Sequence, residues 1–267
     1  MKMVVLAKAV PEVSNVRLTL RERDIDRSEL TYVINEQDDY ALEEALRLRE
    51  SKGGEVIVVS IGDEAARKGA TQVIRQCYAK GADRGVMVVD ASCGDWDDAV
   101  KARIASTVIS AEKPDIIFCG SQSSDAASSS FGPMLAELLD MPHATLITAL
   151  RMEEGGNITV HRDLEQGTQE IVELPLPCLV TVQTGINTPR YASLNRIIAA
   201  TKKKIDTPGL QDLHIGREQT EEWRRVRRLS VSFPSEKASE TVFLQGKPEE
   251  EAAQLVRLLN EKGLIQR

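Results

Sequence analysis

The stretch that decides the fold is VIVVSIGDEAARKGATQVIRQCYAKGADRGVMVVD, residues 56–90. It begins and ends with short runs rich in Val, residues 56–61 and 86–89, and between them apolar residues recur at helical spacing as far as Gly81. A buried strand, a helix and a second buried strand in this order form a βαβ unit, in which the two strands run parallel. The stretch therefore predicts a parallel sheet covered by helices.

The same alternation continues on both sides of this unit. Further strands are predicted at 3–10 and 116–119, and helices at 39–52, 64–80 and 96–113. A fourth helix should follow the loop at 120–130 and turn Met134, Leu135 and Leu138 inward. We therefore predict an α/β fold with a parallel-sheet, Rossmann-like nucleotide-binding domain.

The pattern changes after about residue 143. Extended runs at 144–152, 158–164 and 170–183 predict an added β-hairpin layer and a further strand, and Glu154-Gly155-Gly156-Asn157 suits the hairpin turn. We expect residues 1–183 to form the α/β domain, and residues 184–267 to form an arm that wraps a partner and carries a helix over 248–262.

Composition excludes several classes of protein. The net charge of −7 and the pI near 5.2 disfavour a nucleic-acid binder, which needs a basic face. The four cysteines form no C-x-x-C pair, and Cys119 and Cys178 sit in apolar runs where a buried thiol is expected. No apolar run is long enough to span a bilayer, and the first residues lack the pattern of a signal peptide. We expect a cytoplasmic protein.

The loop that starts at Gly120 carries the strongest local signal. Ligands of parallel sheets lie at the carboxyl ends of the strands, and this loop of small residues and serines leads into a helix whose free N–H groups favour an anion. Alternatively, Ser128 or Ser129 only caps that helix and Asp125 only shapes the loop. The fingerprints G-x-x-x-x-G-K-[ST] and G-x-G-x-x-G are missing, so a mononucleotide, or the adenosine end of a larger cofactor, fits better.

Catalytic and metal sites find no support in the sequence. His143, His161 and His214 lack ligand spacing, and there is no G-x-S-x-G motif. We predict no catalytic residue and no metal. The run Lys202-Lys203-Lys204 is either a solvated helix end or a docking surface for an acidic partner.

Three motifs together resemble the β (small) subunit of electron-transfer flavoproteins. They are VVLAKAVPE at 4–12, VINEQDDYALEEALRLRE at 33–50 and INTPRYASLNRIIAATKKKI at 186–205. The last is the most specific, because its N-x-P-R-Y-x-x-L core, Asn187 to Leu194, matches the signature segment of the family. The resemblance covers nearly the whole chain.

The resemblance implies an electron carrier that is not an enzyme on its own. It implies a heterodimer with an α subunit that holds the redox-active FAD. This carrier accepts electrons from dehydrogenases, such as acyl-CoA dehydrogenases, and passes them to a further acceptor. It also implies a purine nucleotide in this chain: AMP in simple carriers, or a second FAD in members that bifurcate electrons.

The family's functional residues carry over to two sets of positions. The cofactor-binding set is Leu6, Asn35, Glu36, Gln37, Asp38, Ile61, Gly120, Ser121, Gln122, Ser123, Ser124, Asp125, Ala126, Ala127, Ser128, Ser129, Ser130 and Phe131. The partner-binding set is Pro189, Arg190, Tyr191, Leu194, Ile197, Lys202 and Lys203, with Leu194 as the apolar anchor. The family pattern D-x-D-x-x-Q-[TV]-G is altered at Asp125 to Gly132, so a phosphate should rest more on backbone N–H groups and serines.

Two other functions remain as alternatives. A stand-alone enzyme that uses adenine nucleotides can share this architecture, although the glycine-rich loop after the first strand is missing. A nucleotide sensor without a redox partner would not need the long arm after Thr184.

Overall fold

A computed structural model describes residues 1–14, 19–21, 24–26, 30–63, 67–91, 96–233 and 241–265. The chain divides into two compact units, residues 1–231 and residues 232–267. Residues 184–231, which we predicted as the first part of an arm, lie within the first unit.

Strands and helices alternate through the first unit as expected for an α/β protein. The strands are β1 (Lys2–Leu6), β2 (Ala9–Pro11), β3 (Leu20–Arg21), β4 (Asp24–Ile25), β5 (Tyr32–Ile34), β6 (Glu55–Asp63), β7 (Arg84–Asp90), β8 (Ile116–Gly120), β9 (His143–Met152), β10 (Ile158–Asp163), β11 (Gln169–Leu174) and β12 (Cys178–Val182). The helices are α1 (Glu36–Lys52), α2 (Arg67–Lys80), α3 (Asp98–Glu112), α4 (Phe131–Leu138), α5 (Leu194–Thr201) and α6 (Arg217–Trp223), with a 3₁₀ turn at Glu165–Gly167.

The central sheet has eight strands in the order β11-β10-β9-β12-β8-β1-β6-β7. The neighbours from β9 to β7 pair in parallel, and β10 and β11 pair antiparallel at one edge. The predicted α/β class with a mainly parallel sheet is confirmed.

Helices cover both faces of this sheet. Met3 and Val5 of β1 point into the core under α1 and α2, and Val4 and Leu6 point into the core under α3 and α4. Because both faces are buried, the strands read as continuous apolar runs without polar alternation. This burial is the physical reason that residues 56–61 and 86–89 signalled strands.

Two helix predictions need correction. Helix α1 begins at Glu36, not at residue 39, because its first turn is acidic and lacks the apolar residues that mark the rest of the helix. In α4, Leu135 is buried, but Met134 and Leu138 are 41% and 37% exposed. The buried face of this short helix is formed by Gly132, Leu135 and Ala136.

The predicted hairpin is present as β9 and β10, and it extends the edge of the central sheet instead of forming a second layer. The run predicted at 170–183 is split, because Pro175 and Pro177 cannot donate to a strand ladder. Strand β11 pairs with β10 at the edge, whereas β12 inserts between β8 and β9.

The second unit contains helix α7 (Pro248–Glu261), close to the predicted bounds of 248–262. Its first turn holds Glu249, Glu250 and Glu251, which favour a helix N-terminus. Across the described parts of both units, no helix combines the length and the apolar character needed to cross a bilayer.

Candidate functional site

A cleft lies at the carboxyl ends of strands β1, β6 and β8. Its volume, including the open mouth, is about 670 Å³. It is lined by Leu6, Ala7, Lys8, Asn35, Asp38, Val59, Ile61, Asp98, Lys101, Cys119, Gly120, Ser121, Gln122, Ser123, Ser128, Ser129 and Phe131. Leu6, Val59, Ile61 and Cys119 give it an apolar wall.

Asp38 joins two of these strand ends. Its carboxylate accepts hydrogen bonds from the backbone N–H groups of Lys8 and Gly120, each at 2.8 Å. Burial raises the pKa of Asp38 to about 6, and the two N–H donors only partly offset this effect. Gly120 must lack a side chain here, since a Cβ would lie 2.5 Å from Asp38 Oδ1.

Asn35 and Gln37 hold the loop that follows β8. The Asn35 amide donates to the carbonyl of Gln122 (2.9 Å) and accepts from the N–H of Ser124 (3.2 Å). Gln37 Oε1 accepts from the Ser121 hydroxyl (2.6 Å) and from the N–H of Gln122 (2.8 Å). The start of α1 therefore acts as a clamp that shapes the loop after β8.

The second half of this loop presents a row of free donors. Among the described residues, the backbone N–H groups of 128–132 find no acceptor, and α4 has no side-chain cap. Ser129 has a φ of +55° and is followed by Ser130 at φ −96°, ψ −22°. Such alternation of left-handed and right-handed residues makes a concave group of N–H donors that suits an anion.

Helix α3 places one carboxylate, Asp98, and one cation, Lys101, at the cleft. Asp98 accepts hydrogen bonds from the hydroxyls of Ser128 and Ser130, the latter at 2.9 Å, so these serines are oriented by α3. Lys101, one turn further on, has no ion-pair or side-chain hydrogen-bond partner in the described part of the chain. It is the cation available to a bound anion.

Lys8 is already paired. Its ammonium donates to Asp125 (2.6 Å) and to the Ser123 hydroxyl (3.0 Å). Burial by itself would raise the pKa of Asp125, but the charge and hydrogen bond of Lys8 outweigh it, so this pKa is lowered. The ion pair ties the end of β1 to the first half of the loop.

The structure brings most of the predicted cofactor residues together. The predicted residues that line the cleft are Leu6, Asn35, Asp38, Ile61, Gly120, Ser121, Gln122, Ser123, Ser128, Ser129 and Phe131. The others, Glu36, Gln37, Ser124, Asp125, Ala126, Ala127 and Ser130, lie outside its lining. Gln37, Asp125 and Ser130 instead support the loop through hydrogen bonds.

Sequence reasoning missed six lining residues, namely Ala7, Lys8, Val59, Asp98, Lys101 and Cys119. Two of them could have been found, since Ala7 and Lys8 directly follow Leu6, which was already assigned to the cofactor-binding set. Asp98 and Lys101 carry no sequence signal, because only the packing of α3 on the sheet aims them at the loop.

The segment 189–203, which holds the predicted partner-binding residues and is called the partner loop below, presents apolar side chains to solvent. Tyr191 is 99% exposed, Leu194 71% and Ile197 47%. Lys202 is also exposed, while Pro189 is half-buried. With Ile198, which is also exposed, this makes four large exposed apolar side chains on one short segment, and such a group is unusual outside an interaction surface.

Arg190 does not share this exposure. Its guanidinium donates to the carboxylate of Glu43 at 2.8 and 3.0 Å, and it also pairs with Glu50. Lys203 is likewise engaged, because its ammonium donates to the carbonyl of Ala82 (2.9 Å) and lies over the ring of Tyr78 (4.6 Å). These two residues hold the loop against the body of the protein.

The described residues contain no cluster of side chains that could hold a metal ion. Cys77, Cys119 and Cys178 are free and buried, which confirms the expectation for Cys119 and Cys178. Cys93 lies outside the described residues.

The fold and the cleft define a class of protein. A parallel sheet covered by helices on both faces, with a donor-lined cleft at its carboxyl edge, is the arrangement of nucleotide-binding α/β proteins. Residues 24–213 match the family model of the electron transfer flavoprotein domain.

Similar proteins agree with this match. The chain is 37% identical to the electron transfer flavoprotein subunit beta of Methylophilus methylotrophus, over 89% of both chains. It is 32% identical to the protein of the same name from Thermoanaerobacterium thermosaccharolyticum, over 99% of this chain and 100% of the other. It is also 31% identical to the caffeyl-CoA reductase-Etf complex subunit CarD of Acetobacterium woodii, over 99% of this chain and 100% of the other. The chain belongs to the electron transfer flavoprotein family, among its β subunits, and its role is electron transfer.

Proposed function

We propose that this chain is one half of a heterodimer, that it binds a purine nucleotide in the cleft at Gly120, and that it helps to enclose the redox-active FAD of an α subunit. In this complex it passes electrons from a dehydrogenase, such as an acyl-CoA dehydrogenase, to a further acceptor. The observation that carries the proposal is the row of N–H groups at 128–132, which find no acceptor among the described residues, beside Lys101, whose side chain has no partner among them either.

The cleft suits the parts of a nucleotide monophosphate. The free N–H groups and Lys101 offer donors to a phosphate, as helix N-termini and concave backbone segments do in general. The apolar side chains of Leu6, Val59 and Ile61 offer a wall for a purine ring. Asn35 and Asp38 would contribute mainly by fixing the loop, since the loop and the end of β1 already occupy their side chains.

The segment Pro189–Lys203 supports docking to a partner. Leu194 is exposed at the start of α5, in a segment that is anchored to the body of the protein, and burying one leucine contributes about 1.5 to 3 kcal/mol. A contribution of this size allows recognition without a long-lived complex, which suits a carrier that must dissociate after each transfer.

The test is to co-express the chain with an α subunit, denature the purified complex, and quantify the released FAD and AMP. One FAD with one AMP per heterodimer is the expected result for a simple carrier. A complex without any purine beyond the FAD of the α subunit would overturn the assignment of the cleft.

A second FAD in this chain is the alternative form of the same proposal. It is favoured by the similarity to a subunit of a caffeyl-CoA reductase complex, and the same measurement would then yield two FAD per heterodimer. Turnover of ATP by the isolated chain would instead indicate a stand-alone enzyme. A cytoplasmic location stays a prediction, which cell fractionation would check.

A further inference from the structure

A groove lies between helix α2 and the partner loop, and we call it the α2 groove. It is lined by side chains of α2 between residues 67 and 80, by Val33 and Ile34 of β5, and by Tyr191, Ile197 and Thr201 of the partner loop. Among the described residues, it shares no lining residue with the cleft at Gly120. It is therefore a separate feature of the surface, next to the segment proposed to meet a dehydrogenase.

Apolar surface leads from Leu194 into the α2 groove. Leu194, Ile197 and Thr201 lie on one face of α5, because each is three or four positions from the next. Ile197 and Thr201 line the groove, and Val33 and Ile34 add half-buried apolar surface to it. A protein that buries Leu194 is therefore brought to the edge of the groove.

The α2 groove is basic, although the chain as a whole has a net charge of −7. Its described lining holds one carboxylate, Asp39, and four cations, namely Arg67, Lys68, Arg75 and Lys80. Lys80 donates to the Asp39 carboxylate at 2.5 and 2.6 Å, so these two charges neutralise each other. Lys68 and Arg75 are exposed, and neither has an ion-pair or side-chain hydrogen-bond partner in the part of the chain that the structure describes.

The spacing of these two cations defines what would complement them. Lys68 and Arg75 are seven positions apart on α2, so they lie on the same face, about 10 Å apart along the helix axis. A complementary surface offers two carboxylates at about the same separation. It also offers an apolar side chain between or beside them, because the groove has apolar lining at Val33, Ile34 and Ile197.

The α2 groove is too open to enclose a small molecule. Tyr191 is 99% exposed and Ile197 is 47% exposed, whereas sites for small ligands bury most of the surface of the ligand. A segment of a protein can lie in an open groove, because its other side packs on the protein that carries it. Apolar contacts with charged groups around them are also the usual composition of a protein–protein interface.

We propose that the α2 groove receives an acidic segment of the dehydrogenase, and that Lys68 and Arg75 pair with two of its carboxylates. This inference rests on the docking of a dehydrogenase to the partner loop proposed above, and it specifies the chemistry of that partner. Leu194 alone fixes one point and leaves the partner free to rotate about it. A second contact on α2 fixes the orientation of the two proteins, and charges at the rim of an interface mainly speed association and exclude wrong partners.

The test measures docking of an acyl-CoA dehydrogenase to the co-expressed complex by surface plasmon resonance. Lys68→Gln and Arg75→Gln should each weaken docking about 2- to 5-fold, mainly through slower association, and the effect should shrink as the ionic strength rises. Lys52→Gln is the matched control, because Lys52 is an exposed cation at the end of α1 that does not line the groove. It removes the same charge and should change the dissociation constant by less than about 1.5-fold.

A carbodiimide, which joins an ammonium group directly to an adjacent carboxylate, identifies the occupant of the groove. Mass spectrometry of the crosslinked mixture should find Lys68 joined to an Asp or Glu of the dehydrogenase. Crosslinks of Lys68 to the α subunit or to a second copy of this chain, without any to the dehydrogenase, would overturn the inference.

Leu194→Ala separates this inference from the proposed docking. Equal effects of Lys52→Gln, Lys68→Gln and Arg75→Gln, together with weaker docking of Leu194→Ala, would overturn the inference and leave docking at the partner loop standing. If Leu194→Ala also leaves docking unchanged, the proposed docking at the partner loop fails, and the inference fails with it.

Discussion

Arg190, in the segment predicted to meet a partner, binds Glu43 on helix α1 through both its side chain and its backbone N–H. Glu43 is only 4% exposed, and three of the four hydrogen bonds that it accepts come from Arg190. Burial by itself raises the pKa of Glu43, but the hydrogen bonds from Arg190 and Arg47 outweigh it and lower the pKa. Arg190 is thus a residue that positions the segment, and the exposed side chains beside it are the ones proposed to meet a partner.

Replacing Arg190 by Gln should lower the free energy of unfolding by about 1 to 3 kcal/mol, because Glu43 would stay buried with little compensation. Urea unfolding followed by circular dichroism measures this change. Arg47→Gln is the matched control, since Arg47 pairs with the same carboxylate from an exposed position one turn away and should cost about 0.5 kcal/mol or less. Equal losses for the two variants would contradict the anchoring role.

Asp38 predicts an unusual dependence of stability on pH. Its folded pKa of about 6 lies above the ordinary value of 3.8, so the folded state binds the proton more tightly than the unfolded state does. The contribution of Asp38 to stability should therefore be most favourable below about pH 4 and should fall as the pH rises to about 6. Above about pH 7 it should no longer change.

Asp38→Asn isolates this effect. Other carboxylates with lowered pKa values, such as Glu43 and Glu112, make the stability rise with pH. They do so in both the natural protein and the variant, so their contribution cancels in the difference between the two. The difference in unfolding free energy, natural protein minus variant, should decrease between pH 4 and pH 6. A difference that is constant over this range would show that Asp38 does not titrate there.

The sequence could predict the sheet and could single out the loop after β8 for a physical reason. Strands buried on both faces must be apolar throughout, and a loop that approaches a phosphate must be small and rich in donors. Residues 56–61 and 120–130 carry these signals in a few consecutive positions. Each could therefore be recognised without knowing what packs against it.

Features that depend on distant contacts could not be predicted in this way. Strand β12 takes its place between β8 and β9 through pairing across the sheet, and Lys101 reaches the cleft only because α3 packs beside the loop. Arg190 was predicted to contact a partner because it lies in the signature segment. Its ion pair with Glu43 could not be predicted, because the two residues lie 147 positions apart in the sequence.

Gly120 should not tolerate a side chain. An added Cβ would lie 2.5 Å from Asp38 Oδ1 and 2.7 Å from Gln37 Cβ, so Gly120→Ala should separate the loop from the start of α1. We expect a loss of about 1 to 3 kcal/mol in unfolding free energy and a loss of nucleotide from the purified complex. Gly209→Ala, which meets nothing closer than 3.6 Å, should change stability by less than about 0.5 kcal/mol and should keep the nucleotide. If both variants keep the nucleotide, the contacts between Gly120 and the start of α1 are not needed to shape the loop.

Leu194→Ala should weaken docking to a dehydrogenase without changing the stability of the chain. Leu194 is 71% exposed, so its removal leaves no cavity in the folded protein, and its full burial against a partner would be lost. The expected effect is about tenfold in the dissociation constant, measured by surface plasmon resonance against an acyl-CoA dehydrogenase. Ile171→Ala is the matched control, because Ile171 is 65% exposed on edge strand β11, outside the partner loop. If both substitutions weaken docking equally, or neither does, then Leu194 is not the apolar anchor, and the exposure of Tyr191 and Ile197 must serve another contact.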